Sequence, residues 1–205
     1  KTAIRVAGAG TTADPQLRGY LELAEGQFTT RQPRIGIDGL NARLDLAGNR
    51  LTLSRLEGQL NGGTLSGGGS VEYAGGELRN STLALKAGRV YLDFPEGLKT
   101  ISNAALDLKT AAGEAVLGGR VTVLEGGITD DMNLDSGILA ALNGPAEIDL
   151  EEERNPLLEK LRFLISLRTA NPIVLDNNLG KAEVSADLRL LGTPYEPGLS
   201  GRLVI

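Results

Sequence analysis

The chain alternates apolar and polar residues over most of its length, with the period of two that is typical of β-strands. The run Leu17–Leu23 is representative, because Arg18 and Glu22 separate its leucines. Comparable runs continue as far as Val184–Leu190. Because successive side chains of a strand point to opposite faces, each run predicts a strand with one aliphatic face and one polar face.

Short turns rich in Gly, Asn, Asp and Pro separate these runs, and Gly48-Asn49 between two of them is a hairpin signal. No helical run is long enough for a βαβ crossover, so an all-β, mainly antiparallel fold is expected. The runs indicate on the order of 12 to 16 strands. At about 4.8 Å per strand they would form a sheet roughly 60–75 Å long, and sheets of that size curl, fold over or close.

One turn-and-strand unit is repeated along the chain. The segment Gly10–Leu23 recurs as Gly192–Ile205, with Gly, Thr, Pro, Leu, Gly and Leu each displaced by 182 positions. A partial third copy, Leu117–Ile128, follows Leu17–Phe28 at an offset of 100. Such repetition predicts a solenoid-like or extended array within a single elongated domain.

The stretch Leu60–Val71 is the richest in glycine, and it has two interpretations. A flexible linker is one of them. Because Leu60, Leu65 and Val71 still punctuate the stretch with apolar side chains, we favour tightly turned strands. In such strands, glycine marks bulges or places where two backbones approach closely.

The alternation fails over residues 129–155, where carboxylates flank a short apolar run. Asp130-Asp131 and Glu151–Glu153 predict an acidic, solvated and mobile insertion, in which Ile138–Leu142 has the length of a short helix. Carboxylates of this kind supply the oxygen ligands that Ca²⁺ prefers. No EF-hand spacing or calcium nonapeptide accompanies them, so no metal site is predicted.

The residues after this insertion are ambiguous. Asn155-Pro156 is typical of a helix start, and one helical turn is predicted to about Lys160. The following residues fit one face of a helix or one face of a strand. We predict a strand over Leu161–Leu167, because Phe163 and Ile165 then share its apolar face and only Leu164 is misplaced.

Composition restricts the function further. His and Cys are absent, so the commonest proton-transfer group and metal ligand is missing and disulfides cannot report the redox compartment. A net charge of −5 without a long basic run argues against a nucleic-acid partner, and 3% aromatic residues leave few rings for stacking on sugars or bases. No apolar run is long enough to span a bilayer. The chain starts at Lys1 and stops within its repeated unit, so we expect a fragment of a longer protein.

No catalytic or cofactor-binding constellation is predicted. Gly67–Ser70 lacks the Lys and the helix of a phosphate loop, and Gly8–Gly10 lacks the rest of a dinucleotide fingerprint. Ser and Thr nucleophiles have no His partner. We therefore expect neither an enzyme nor a cofactor.

The motif Gly-Thr-x-x-x-Pro-x-Leu-x-Gly-x-Leu-x-Leu, at Gly10 and again at Gly192, resembles the carboxy-terminal signature of the TamB family. The stretches Leu60–Gly67 and Asn177–Leu190 are also similar to segments of that family, whose members are inner-membrane subunits of the translocation and assembly module. The resemblance runs from Gly10 to Ile205. It implies a long β-taco, a curled sheet with a hydrophobic concave face, formed here by residues 1–205.

The resemblance also implies a place and a role. It implies the periplasm of a diderm bacterium, within an inner-membrane-anchored protein whose anchor lies outside this chain. The implied partners are a phospholipid and an outer-membrane barrel protein related to the Bam insertase. The implied function is movement of phospholipid between the two membranes and support of outer-membrane assembly.

The aliphatic face is the candidate site, and its residues allow two interpretations. They fill a closed core, as in a structural β-solenoid or adhesin-like stalk, or they line an open groove for acyl chains or unfolded membrane strands. The resemblance favours the groove; a scaffold for outer-membrane β-strands is a further alternative, and a β-helix carbohydrate enzyme is disfavoured by the scarcity of aromatic residues. The predicted lining residues are Leu21, Leu23, Ile35, Ile37, Leu44, Leu46, Leu51, Leu53, Leu83, Leu85, Leu106, Leu108, Val121, Val123, Phe163, Ile165, Val184, Leu188, Leu190 and Leu203.

Overall fold

The computed structural model describes residues 1–10, 15–31, 34–74, 77–94, 97–111, 114–129, 159–178 and 180–205. The alternating sequence folds locally into strands, and thirteen strands occupy most of these residues. Their bounds are β1 Thr2–Gly10, β2 Pro15–Arg31, β3 Arg34–Gly48, β4 Arg50–Leu60, β5 Gly63–Ala74, β6 Glu77–Leu78, β7 Ser81–Asp93, β8 Lys99–Ala111, β9 Glu114–Ile128, β10 Leu161–Thr169, β11 Ile173–Asn177, β12 Gly180–Gly192 and β13 Pro197–Val204.

The strands form one long, mostly antiparallel sheet. Its path is β1-β2-β3-β4-β5-β7-β8-β9-β10-β12, which β13 extends beyond β12. Strand β11 pairs with β12 and with β9, and the short β6 pairs with β5. This architecture confirms the predicted all-β fold class, an elongated, curled and mainly antiparallel sheet.

Two pairings differ from the antiparallel pattern, and both involve β9. Strand β10 runs parallel to β9, with Leu161 opposite Ala115, and β11 runs parallel to the end of β9, with Leu175 opposite Ile128. Parallel neighbours need a long connection, whereas antiparallel neighbours need only a tight turn. The connection here is the interval between Ile128 and Leu161, which contains the predicted acidic insertion. Residues 130–158 lie outside the described residues, and with them the predicted helix Ile138–Leu142 and all of the predicted helical turn except Glu159 and Lys160.

Both ambiguous stretches are strands. The glycine-rich stretch comprises the end of β4, the turn at Asn61 and Gly62, and most of β5, so the strand interpretation is confirmed over the linker. The strand prediction for residues 161–167 is confirmed by β10. In that strand Leu164 is 57% exposed, on the face opposite to Phe163 and Ile165, as the period of two requires.

Bulges bend several strands at sites where a residue has a positive φ. Glu25 in β2 and Arg89 in β7 have φ values of 54° and 51°. An asparagine on the neighbouring strand stabilises each bulge, since Glu25 N donates to Asn41 Oδ1 (3.3 Å) and Arg89 N donates to Asn103 Oδ1 (2.8 Å). A bulge bends its strand and increases the local twist, so these sites contribute to the curl of the sheet.

Asn61, in the β4–β5 turn, links two non-adjacent strands of the curled sheet by hydrogen bonds at one rim. Its Nδ2 donates to the carbonyl oxygens of Arg34 (3.1 Å) and Tyr91 (2.9 Å), and its Oδ1 accepts from Gly36 N (2.6 Å). Arg34 and Gly36 belong to β3, whereas Tyr91 belongs to β7, with β4 and β5 between those strands. One side chain therefore joins strands that would lie far apart in a flat sheet.

The interior of the curl is not a sealed core. The most buried apolar side chains have exposures of 5–8%, and among the described residues no large side chain is completely buried. Most apolar residues of the aliphatic face are half-buried instead. The most buried apolar residues are Leu46, Leu65, Val90, Val123 and Ile165.

Candidate functional site

The candidate site is the aliphatic face, which continues from strand to strand through direct cross-strand partners. The first row crosses nine strands and contains no charged residue; it comprises Ile4, Leu21, Leu44, Leu53, Gly69, Leu83, Leu108, Leu117 and Phe163. A second row comprises Leu56, Gly67, Leu85, Leu106, Gly119, Ile165, Leu190 and Leu199. A third comprises Leu65, Ala87, Ala104, Val121, Leu167, Leu188 and Gly201. Cross-strand partners share a face, so these rows form one apolar surface.

All twenty residues of the predicted lining share this face. Each is a row member or lies an even number of residues from one in the same strand, except Ile35 and Ile37, which the register shift near Gly39 returns to the face. Their burial varies with position, since Leu46, Val123 and Ile165 are buried and Leu203, on the edge strand β13, is exposed. The other sixteen are half-buried. The structure thus brings the twenty together on one surface, while their function as a groove lining stays a prediction.

The bulges keep this surface aliphatic where a strict period of two would not. In β2, the aliphatic face changes from odd to even numbers, from Leu23 to Phe28, across the bulge at Glu25. In β7, it changes from Ala87 to Val90. An inserted residue shifts the alternation by one, so each bulge returns the next apolar residue to the same face.

Sequence reasoning missed two of the most buried residues of the face. Leu65 lies among glycines in β5, opposite Ala87, and Val90 follows the bulge of β7, opposite Ser102. The available signal was the shift in spacing between the apolar residues before and after each bulge. Near the rims, buried hydroxyls replace the aliphatic residues; for example, Ser81 Oγ donates to the carbonyl oxygen of Arg79 (2.9 Å).

Four glycines recur at regular intervals on this face. Gly19, Gly69, Gly119 and Gly201 have φ values of 126–149°, a backbone region that residues with a Cβ rarely adopt. A Cβ at each would overlap a carbonyl oxygen of a neighbouring strand. They lie on the second, fifth, eighth and eleventh strands of the path from β1 to β13, so the sheet repeats every three strands.

The opposite, outer face is mostly polar and carries several ion pairs. Asp45 accepts hydrogen bonds from Ser54 Oγ (2.6 Å) and Arg43 Nε (3.0 Å), and the Arg43 guanidinium lies 4.8 Å from the centre of the Tyr20 ring. The Ser54 hydrogen bond lowers the pKa of Asp45 below its ordinary value; desolvation opposes this effect, and the hydrogen bond and charge of Arg43 reinforce it. The charged groups of this cluster in β2, β3 and β4 therefore lie on the outer face, away from the aliphatic face.

The described residues offer no metal centre, because no group of three carboxylates is close enough to hold an ion. The carboxylates of residues 130–153 lie outside the described residues. No helix in the described part of the chain is both long and apolar enough to cross a bilayer. Within the described ranges, the candidate site is an apolar surface.

A long antiparallel sheet curled around one uninterrupted aliphatic face defines the class of β-taco proteins. Comparison with known families agrees with this class. The model of the TamB C-terminal domain matches residues 52–205, which is more than half of the chain. The chain therefore belongs to the TamB family of bacterial envelope proteins. No curated protein and no solved structure gives a significant match.

Proposed function

We propose that the aliphatic face lines a hydrophobic groove that carries phospholipid acyl chains between the inner and outer membranes and so supports outer-membrane assembly. The observation that supports this best is continuity, since the first row runs from Ile4 in β1 to Phe163 in β10 without a charged side chain. A polar group in the path would lose hydrogen bonds to water when an acyl chain covered it. An unbroken aliphatic path avoids that cost.

The half-buried state of the lining also favours an occupant. A soluble protein rarely leaves a contiguous apolar surface of this extent uncovered, and such surfaces mark binding sites. Burial of one methylene contributes about 0.8 kcal/mol, so a chain of roughly fourteen methylenes gains on the order of 10 kcal/mol. The gain does not depend on a polar anchor, which suits a surface that lacks one.

Membership of the TamB family supports the cellular setting of the proposal. We place the chain in the periplasm of a diderm bacterium, as part of a protein anchored in the inner membrane by a segment outside this chain. The proposed partners are phospholipid and an outer-membrane barrel protein related to the Bam insertase. No catalytic step is assigned to the chain.

The test is a pair of charges placed in the groove, with the same charges placed on the outer face as the control. Leu53→Asp with Leu85→Asp puts two carboxylates among aliphatic partners, because Leu53 lies opposite Leu44 and Leu85 lies opposite Leu106. Thr52→Asp with Ala84→Asp makes the same change in charge one residue away, on the outer face. Mass spectrometry after gentle purification measures the phospholipid that each protein retains.

We expect the wild type and the outer-face variant to retain phospholipid, and the groove variant to retain at least tenfold less. Circular dichroism checks that both variants keep the sheet. Equal retention by both variants would refute the groove. A wild type that carries no lipid, and takes up none from vesicles, would favour the closed stalk or the scaffold for membrane strands.

A further inference from the structure

The outer face bears an exposed apolar pair in β10 and β12. Leu164 in β10 and Leu191 in β12 are direct cross-strand partners, with exposures of 57% and 37%. The positions on either side of the pair in the same row are Gly118 in β9 and Gly198 in β13. Since glycine has no side chain, neither neighbouring strand covers the leucines.

Arginines surround this pair. Arg162 lies two residues before Leu164, and Arg120 and Arg189 occupy the adjacent row on either side of Ser166. Two strand spacings separate Arg120 from Arg189, which is about 10 Å. We name the surface formed by Leu164, Leu191, Arg120, Arg162 and Arg189 the arginine–leucine patch.

The patch has an excess of positive charge. The outer-face positions 118–122, 162–168, 187–191 and 198–202 carry five arginines and one carboxylate, Asp187, which pairs with Arg168 at 3.0 Å. Within the part of the chain that the structure describes, no carboxylate lies within ion-pair distance of Arg120, Arg162 or Arg189. An uncompensated cluster of this kind attracts anions.

Two shallow depressions beside the leucines have the side chains of anion sites. Asn103, Arg120, Thr122 and Ser166 line the first. The second has Arg189, Ser200 and Arg202 in its wall, together with Asp187. A guanidinium beside hydroxyl groups matches a phosphate, which accepts several hydrogen bonds at once.

The negative net charge of the whole sequence does not argue against an anionic partner. Residues 130–158 contain eight carboxylates and one arginine, a net charge of −7. The chain total of −5 less this −7 leaves +2 for all other residues. The negative charge is therefore concentrated in one segment of the sequence, and the remainder of the chain is net positive.

We propose that the arginine–leucine patch docks this protein on an anionic phospholipid bilayer, with the arginines on headgroup phosphates and the two leucines at the boundary of the acyl layer. A bilayer surface presents many phosphates above an apolar layer, and it therefore matches two separate anion sites beside an exposed apolar pair. An acidic peptide would satisfy the arginines but would leave the leucines without an apolar layer. The docking surface is on the face opposite to the proposed groove, so it is a second membrane-related site.

The test is co-sedimentation of the whole chain with vesicles of phosphatidylcholine, with and without phosphatidylglycerol. Each arginine near an anionic surface contributes about a fivefold gain in partitioning, so Arg120→Gln with Arg189→Gln should weaken binding about 25-fold. Leu164→Ser with Leu191→Ser should weaken it at least tenfold and leave the charge unchanged. The matched control is Arg5→Gln with Arg18→Gln, which removes the same charge from the outer face of β1 and β2.

The expected result is binding that needs phosphatidylglycerol, that the control variant retains, and that both patch variants lose. An equal loss in the control would overturn the proposal, because it would indicate attraction by net charge without a patch. Absence of binding would also overturn it. So would self-association that Leu164→Ser abolishes in sedimentation velocity, because a second copy would then be the occupant. The groove variant Leu53→Asp with Leu85→Asp should bind vesicles normally, which separates a failure of this proposal from a failure of the groove.

Discussion

Gly119 and its neighbour Gly118 offer a sharp test of whether the sheet requires glycine where φ is positive. Gly119 has a φ of 126°, and a Cβ built there would overlap the carbonyl oxygen of Ala105 on β8. Gly118 has an ordinary φ, and the nearest atoms to a Cβ there are Asp107 Oδ1 and the carbonyl oxygen of Leu164, both at 3.6 Å. The two residues are adjacent in β9, yet alanine would be strained in place of Gly119 and would fit in place of Gly118.

The expected magnitudes follow from these two environments. A residue with a Cβ held in a glycine-only region costs about 1–3 kcal/mol, and the overlap with Ala105 forces the two strands apart in addition. We therefore expect Gly119→Ala to lower the free energy of unfolding by about 3 kcal/mol. Gly118→Ala should change it little, or raise it by about 0.5 kcal/mol, because alanine reduces the entropy of the unfolded chain.

Urea denaturation followed by circular dichroism measures both variants. With a slope of about 2 kcal/mol per molar urea, a loss of 3 kcal/mol moves the midpoint down by roughly 1.5 M. Gly201→Ala and Gly198→Ala provide a second pair within β13, where only Gly201 has a positive φ. If both members of each pair had the same midpoint, the idea that the sheet requires glycine at the positive-φ positions would be wrong.

Two further predictions concern the rim and the outer face. Asn61→Gly keeps a residue that tolerates the φ of 45° but removes the side chain that joins β3 to β7. It should therefore lower the free energy of unfolding by about 1–3 kcal/mol. Hydrogen exchange of the Gly36 amide should become faster, and unchanged exchange would show that Asn61 does not hold these strands together. Ser54→Ala should raise the pKa of Asp45 towards its ordinary value, because the largest cause of the lowered pKa is removed. A lowered pKa in the folded state means that Asp45 contributes stability above its unfolded pKa and loses it as the pH falls through the folded value. The variant should lose less stability on acidification below about pH 4, as NMR titration of the carboxyl carbon together with unfolding experiments would show.

The repeat illustrates how much of the fold the sequence contains. Sequence comparison alone indicates a copy of Leu17–Phe28 near Leu117, displaced by 100 positions. The structure adds Gly69, midway between Gly19 and Gly119, with the same backbone conformation. In this intermediate copy, glycine occupies a position that is leucine in the other copies, so its apolar pattern is too weak to be detected in the sequence. The positive φ of Gly69 identifies the copy in the structure.

The sequence predicts which residues share the aliphatic face, but not the positions at which a strand shifts its alternation by one residue. Alternation within each strand places most of the twenty predicted residues on one face, and cross-strand pairing joins the faces of neighbouring strands. Ile37 shows the limit, since it shares the face of Leu44 only because the strand shifts by one residue near Gly39, whose φ is 57°. The position of such a shift depends on which residues of the next strand are opposite, and a single strand does not contain that information.

The sequence by itself determined the strands, their aliphatic and polar faces and the family, because these depend on local alternation and on short motifs. Only the tertiary structure decided the parallel pairing of β9 with β10, the bulges that keep the aliphatic face continuous, and the junction of β3 with β7 through Asn61. It also placed Leu164 beside Leu191, which are far apart in sequence, among three arginines. These features arise from contacts between distant segments, and such contacts form only when the whole sheet assembles.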